Sequence, residues 1–281
     1  MDPGGTNRFD TSEREPVDKE LWITLTQETL SVGGNRFLIL KDKGKLMAIR
    51  KVDDYTVRPA EPYKKYITPS SLYKGNCARC TWMSYWHNFQ IPVNMALQQH
   101  QSRLQEKSYD GVETQKISPE LPEGWTTLYK GKFASRPISI NGIETRWKLY
   151  GELDFLSENK DGTYSIIDGK VSMKHDEAEL IGSYWTQLEA YVFMLENPES
   201  GDSKKISSIG LLQWRIDAAI DMANPIHGFS VEERYIPVKR NPEAFQEYME
   251  RFIGYIEGQF PKASTECRDC DFLSTIGFYK D

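Results

Sequence analysis

A chain of 281 residues with 39% hydrophobic and 27% charged side chains can bury a substantial core in one large domain. Its formal net charge of −6 argues against a protein that coats nucleic acid through bulk charge. The sequence carries no apolar run of about eighteen residues and no basic-apolar leader, so membrane insertion and secretion are not expected and the cytoplasm is the predicted compartment.

Residues 1–18 are polar and rich in Gly, Pro and charge, the composition of a disordered leader. Residues 19–66 read as a small β-rich appendage. Trp22–Thr26, Phe37–Leu40 and Leu46–Arg50 are strand-like, and Lys41-Asp42-Lys43-Gly44-Lys45 joins the last two as a hairpin. Between Lys41 and Cys80 ten basic residues stand against four acidic ones, an excess that suits either a DNA-facing patch or a solvated face.

The main domain is expected over 67–281. Thr68-Pro69-Ser70-Ser71 caps a helix with Pro69 in its first turn, leading into Cys77-Ala78-Arg79-Cys80. Trp82, Tyr85, Trp86 and Phe89 recur at helical spacing and predict core packing. Leu149–Leu156 and Tyr164–Val171 are strand-like and flank the turn-forming Asn159-Lys160-Asp161-Gly162, so they predict a β-hairpin. Glu177–Leu195 then reads as an amphipathic helix stopped by Asn197-Pro198, Ile206–Trp214 as an apolar strand and His227–Val238 as an alternating one. Pro242–Glu257 predicts a helix behind Asn241 as N-cap, with Phe245, Met249, Phe252 and Ile256 on its buried stripe. This order of elements suits a mixed α/β sandwich, a central sheet flanked by helices.

Two sets of residues carry chemistry. In the hairpin, strand alternation puts Asp168 and Lys170 on one face; a turn centred near Asp161 sets Asp154 opposite Asp168 and Glu152 opposite Lys170. Carboxylates held this close repel one another, and a hard divalent cation, Mg²⁺ or Mn²⁺, relieves the repulsion through oxygen ligation. Such a cation with a neighbouring ammonium is equipped for phosphodiester hydrolysis. Gln187 and Tyr191, four residues apart on the following helix, share a face. The second set is the cysteines. All four fall in two C-x-x-C pairs, Cys77/Cys80 and Cys267/Cys270, a pattern that favours metal thiolates over disulfides. Tetrahedral zinc and an iron–sulfur cluster both accept four thiolates.

Gly151–Phe155 (GELDF), Ile166–Lys170 (IIDGK) and Gln187–Tyr191 (QLEAY) together resemble the motifs of the PD-(D/E)xK nuclease superfamily, in particular its RecB-type branch and the CRISPR-adaptation nucleases that carry an iron–sulfur cluster. The resemblance implies a restriction-endonuclease-like core and a metal-dependent deoxyribonuclease acting on single-stranded DNA or duplex ends, in repair, recombination or CRISPR-related processing, with protein partners from such complexes. It implies that Asp154 and Asp168 ligate the divalent metal, that Lys170 is catalytic, and that Gln187 and Tyr191 support the site. It also implies a further upstream metal ligand, for which His100 in Ala96-x-x-x-His100 is the match, with Gln98 or Gln99 as substitutes. The four cysteines would hold a [4Fe–4S] cluster, with zinc as the alternative. A catalytically degenerate DNA-binding or scaffold subunit on the same fold is the other function implied.

Overall fold

The structure, a computed structural model, describes residues 25–32, 35–42, 45–51, 56–72, 77–89, 96–128, 131–219 and 228–275. The expected leader and the first half of Trp22–Thr26 lie outside these residues. The chain divides into two compact units, Met1–Val57 and Arg58–Asp281. In the first, β1 (Leu25–Val32), β2 (Asn35–Asp42) and β3 (Lys45–Lys51) form an antiparallel meander, with the expected hairpin between β2 and β3 closing at Asp42↔Lys45. Residues 58–66, which the sequence groups with this β-rich part, are tied to the second unit: Lys64 N–H donates to Tyr85 O at 3.0 Å and Arg58 to Glu257 O at 2.7 Å.

The second unit opens with α1 (Pro69–Leu72), α2 (Ala78–His87), α3 (Ala96–Tyr109) and α4 (Thr114–Ile117). Strands β4 (Gly124–Leu128), β5 (Lys132–Ala134), β6 (Ser139–Ile140), β7 (Ile143–Glu144), β8 (Tyr150–Glu152), β9 (Phe155–Asn159) and β10 (Tyr164–Ser172) follow. After them come α5 (Glu177–Glu196), β11 (Ile206–Ala219), β12 (Gly228–Val238), α6 (Pro242–Glu257) and α7 (Arg268–Thr275). The central sheet runs β12-β11-β10-β9-β4. β10 and β11 are parallel, joined by the crossover helix α5, and the other pairs are antiparallel, so the sheet is mixed as expected.

Helices cover both faces of the sheet, which is why β10 is apolar or buried on successive residues instead of alternating. On the α3 face, Tyr109, Leu121, Phe155, Ile167 and Leu212 form one core cluster. On the other face lie α5 and, beyond it, a layer in which α2 packs on α6. There Trp82, Tyr85, Trp86, Trp147 and Phe252 are all buried, and the Tyr85 ring meets Trp147 and Phe252 edge-on at 5.5 and 5.7 Å. Both long helices start where a side-chain cap is available: Asp176 accepts from Ala178 N–H at 2.8 Å and Asn241 from Ala244 N–H at 3.1 Å. No helix among the described residues is long and apolar enough to cross a membrane.

The hairpin departs from the sequence reading in one respect. β9 and β10 pair from Tyr164↔Glu158 to Ile167↔Phe155, which is the expected register and leaves Asp154 and Asp168 facing each other at the ladder's end. The upstream strand is nevertheless not continuous over Leu149–Leu156. It breaks at Leu153–Asp154, and β8 turns away to pair with β5, so Glu152 lies opposite Lys132 and not opposite Lys170. Packing explains the break. Gly151 lies under the start of α1, where a Cβ would stand 2.8 Å from Pro69 Cδ, so the chain follows α1 instead of the sheet.

Candidate active site and cysteine centre

Three elements deliver the expected side chains to one end of β10. The strand itself supplies Asp168 and Lys170, both facing α5; the break before β9 supplies Asp154; and α5 supplies Gln187 and Tyr191. Gln187 Nε2 donates to Asp168 Oδ1 at 3.3 Å and to the Tyr191 hydroxyl at 2.8 Å, and all three side chains are buried. Asp154 is held by the backbone of the D-G-K segment, since Gly169 N–H donates to its Oδ2 at 2.9 Å. The Lys170 ammonium pairs with Asp168 Oδ2 and lies 4.7 Å from the centre of the Tyr184 ring.

Burial and charge oppose each other here. Burial pushes the Asp168 carboxyl up, the Lys170 ammonium pulls it down and Asp154 pushes it up again, with the balance at about 7. Burial disfavours the charged form of Lys170, but Asp168 and Asp154 outweigh it and hold the ammonium above its ordinary range. Tyr191 is pushed well up by burial and then by the two aspartates, so it stays a neutral hydroxyl.

His100 is exposed, five residues before the buried Gln105 and therefore about 140° around α3 from it. Gln99 is exposed as well, and the side chain of Gln98 lies outside the described residues. On the same helix Glu106, which sequence reasoning passed over, senses the carboxylates. Its carboxyl is pushed up by burial and then by Asp154 and Glu152, with Arg103 pulling the other way. Its neighbour Gln105 anchors the helix to the sheet, donating to Leu212 O at 2.8 Å. Glu106 is the one acidic residue in ALQQHQSRLQEKSY, but nothing in the pattern of that segment marks which face it takes.

This donor set fits a hard divalent cation. Asp154 and Asp168 are oxygen donors only, and the buried Asp168 Oδ2 accepts no hydrogen bond among the described residues beyond its ion pair with Lys170, while Oδ1 is occupied by Gln187.

The four cysteines also meet. Cys77 and Cys80 lie at the start of α2, Cys267 and Cys270 at the start of α7, and their sulfurs all lie within 4.8 Å of one another. None of the four is in a disulfide; Cys77 and Cys270 are buried and the other two half-buried. A hydrogen bond from Cys80 is the main influence drawing the Cys77 thiol down to about 4, and the same contact with burial pushes Cys80 up. Such a thiol group is built to share a cation.

No curated protein matches the chain. Among solved structures, that titled "Crystal structure of SSO0001" is similar over 76% of this chain and 85% of that chain, at 18% sequence identity and a TM-score of 0.44. A family model, that of the PD-(D/E)XK nuclease superfamily, matches residues 92–275, a span that runs from α3 to α7 and takes in the whole central sheet with Asp154, Asp168, Lys170, Gln187 and Tyr191, and the chain therefore belongs to the PD-(D/E)XK nuclease superfamily.

Proposed function

We propose that the protein is a deoxyribonuclease that hydrolyses phosphodiester bonds with a water nucleophile and Mg²⁺ or Mn²⁺. The observation that carries this reading is the convergence of Asp154, Asp168 and Lys170 at the end of β10, with Asp168 Oδ2 buried and held, among the described residues, by nothing but the Lys170 ion pair. A cation held by Asp154 and Asp168, with Glu106 as a further carboxylate, supplies Lewis acidity at the phosphoryl oxygen and a bound water of lowered pKa.

The chain's own residues set up that chemistry. Gln187 fixes Asp168 by occupying Oδ1, which aims Oδ2 into the site, and Tyr191 in turn fixes Gln187. Gly169 N–H orients Asp154 from the backbone, a donor that no rotamer change can move. Lys170, paired with Asp168, is placed to stabilise the charge that develops on the phosphoryl group and to orient or activate the water. Glu106 takes the upstream ligand position that the family resemblance assigned to His100.

The substrate is DNA in single strands or at duplex ends, tested by cleavage of end-labelled single- and double-stranded DNA in Mn²⁺, Mg²⁺ and EDTA. Cleavage is expected in either cation and not in EDTA, and Asp168→Ala should lower the rate at least about a hundredfold. Full activity in Asp168→Ala would sink the mechanism. DNA binding without turnover in both cations would move the protein to the inert scaffold class.

A further inference from the structure

The resemblance to iron–sulfur nucleases assigns the four cysteines a [4Fe–4S] cluster, and the sulfur positions do not fit one. Cys77 Sγ lies 3.4 Å from Cys270 Sγ, and Cys80 Sγ lies 3.5 Å from Cys270 Sγ and 3.7 Å from Cys267 Sγ. A cubane places four irons and four sulfides between its thiolates, each bound to its own corner iron, which sets the cysteine sulfurs on the order of 6 Å apart. One tetrahedral ion with metal–sulfur bonds of about 2.3 Å sets them roughly 3.8 Å apart. The observed separations match the second arrangement, and the four sulfurs span no more than 4.8 Å in all. They are also too far apart for disulfides, whose sulfurs bond at about 2.05 Å.

The backbone reinforces the spacing. The two C-x-x-C segments are built alike. In each the first cysteine stands just before a helix and its carbonyl accepts the first helical bond, from Thr81 N–H to Cys77 O and from Asp271 N–H to Cys267 O, both at 3.0 Å. The second cysteine of each pair lies in the first turn. Each helix therefore fixes the spacing of its own pair at its N-terminal end. Opening the four sulfurs to cubane size would require α2 and α7 to separate. Their junction is packed: Arg79, inside the first segment, is buried, donates to Pro261 O at 2.8 Å and lies 4.9 Å from the centre of the Phe260 ring.

We propose that Cys77, Cys80, Cys267 and Cys270 bind one zinc ion in a closed tetrahedral four-thiolate site, with no iron–sulfur cluster. Four thiolates fill the coordination of such an ion and leave no open position, so the centre is structural and takes no part in electron transfer. The assignment is independent of the nuclease reading, because it is decided by metal content and spectrum and not by cleavage.

The test is to express the full chain in cells supplied with both iron and zinc and to purify it in air and, separately, under nitrogen. Both preparations should contain about one zinc per chain, no acid-labile sulfide and no absorbance band at about 400 nm. Cobalt(II) exchanged into the site should give the thiolate charge-transfer and d–d bands of a tetrahedral ion. Cys270→Ser should weaken zinc retention against a chromophoric chelator at least tenfold. A nitrogen-purified chain carrying about four irons and four sulfides overturns the proposal. Should the cysteine variant fail to fold, the wild-type metal content decides alone.

Discussion

Gly169, the middle residue of the D-G-K segment, has no room for a side chain. A Cβ there would stand 2.7 Å from Gln105 Oε1 and 3.5 Å from Asp154 Oδ2, so the glycine lets both side chains close on the strand. Gly169→Val should displace the fully buried Gln105 and cost about 2–3 kcal/mol, measured by urea unfolding. On α3, Glu106→Gln should raise the Mn²⁺ concentration needed for half-maximal cleavage about tenfold, whereas His100→Ala should leave that concentration within about twofold of wild type. A tenfold effect of His100→Ala, with none from Glu106→Gln, would reverse the assignment. Asp168, Lys170, Gln187 and Tyr191 were legible in the sequence because each lies on an element whose period fixes its face, and Asp154 because the hairpin register carries one residue past the paired ladder. Glu106 was not, because the phase of α3 is set by which residues meet the sheet, and Gln105, a polar residue there, gives no apolar stripe to reveal it.

The hairpin register was readable for a local reason: the turn around Asp161 and the apolar alternation on both sides determine it together, and they place Asp154 against Asp168. The break at Leu153–Asp154 was not readable. It depends on Pro69 and Lys132, partners distant in sequence whose positions no strand period encodes. A second junction shows how the layers are tied. At the end of α6, Glu257 accepts from Arg146 Nε at 2.9 Å and Trp147 Nε1 at 2.7 Å and also pairs with Arg58. Burial pushes this carboxyl up, but those hydrogen bonds outweigh burial and hold it below the ordinary carboxylate range. The folded state thus binds the Glu257 proton less tightly than the unfolded chain does, so its contribution is present above the unfolded value and is lost as pH falls through the lowered one. Glu257→Gln should cost about 1 kcal/mol at pH 7, a modest figure because solvent screens the group, and the gap to wild type should close below about pH 4. An unchanged gap at low pH would show that the charge is not what holds the junction.

Across the whole second unit, the cysteine centre joins the two ends of the nuclease fold, with Cys80 and Cys267 separated by 187 positions in sequence. A cross-link over such a loop removes about 5 kcal/mol of unfolded-chain entropy on the loop-closure estimate. A unit of this size shifts its Tm by roughly 2–4 °C per kcal/mol, so stripping the bound metal with a strong chelator should lower Tm by about 10–20 °C. A shift under about 3 °C would mean that the helices hold each other without it. That the cysteines belong together was plain from their pairing in the sequence, whereas the kind of centre was not, because spacing along the chain says nothing about the distance between sulfurs.

The same separation has a consequence in time. During synthesis Cys77 and Cys80 leave the ribosome well before Cys267 and Cys270 exist, and at 5–20 residues per second the wait is roughly ten to forty seconds. Through that interval α2 carries two reduced thiols with half their coordination missing. A nascent chain in that state is exposed to oxidation or to capture of the wrong metal until its last helix arrives.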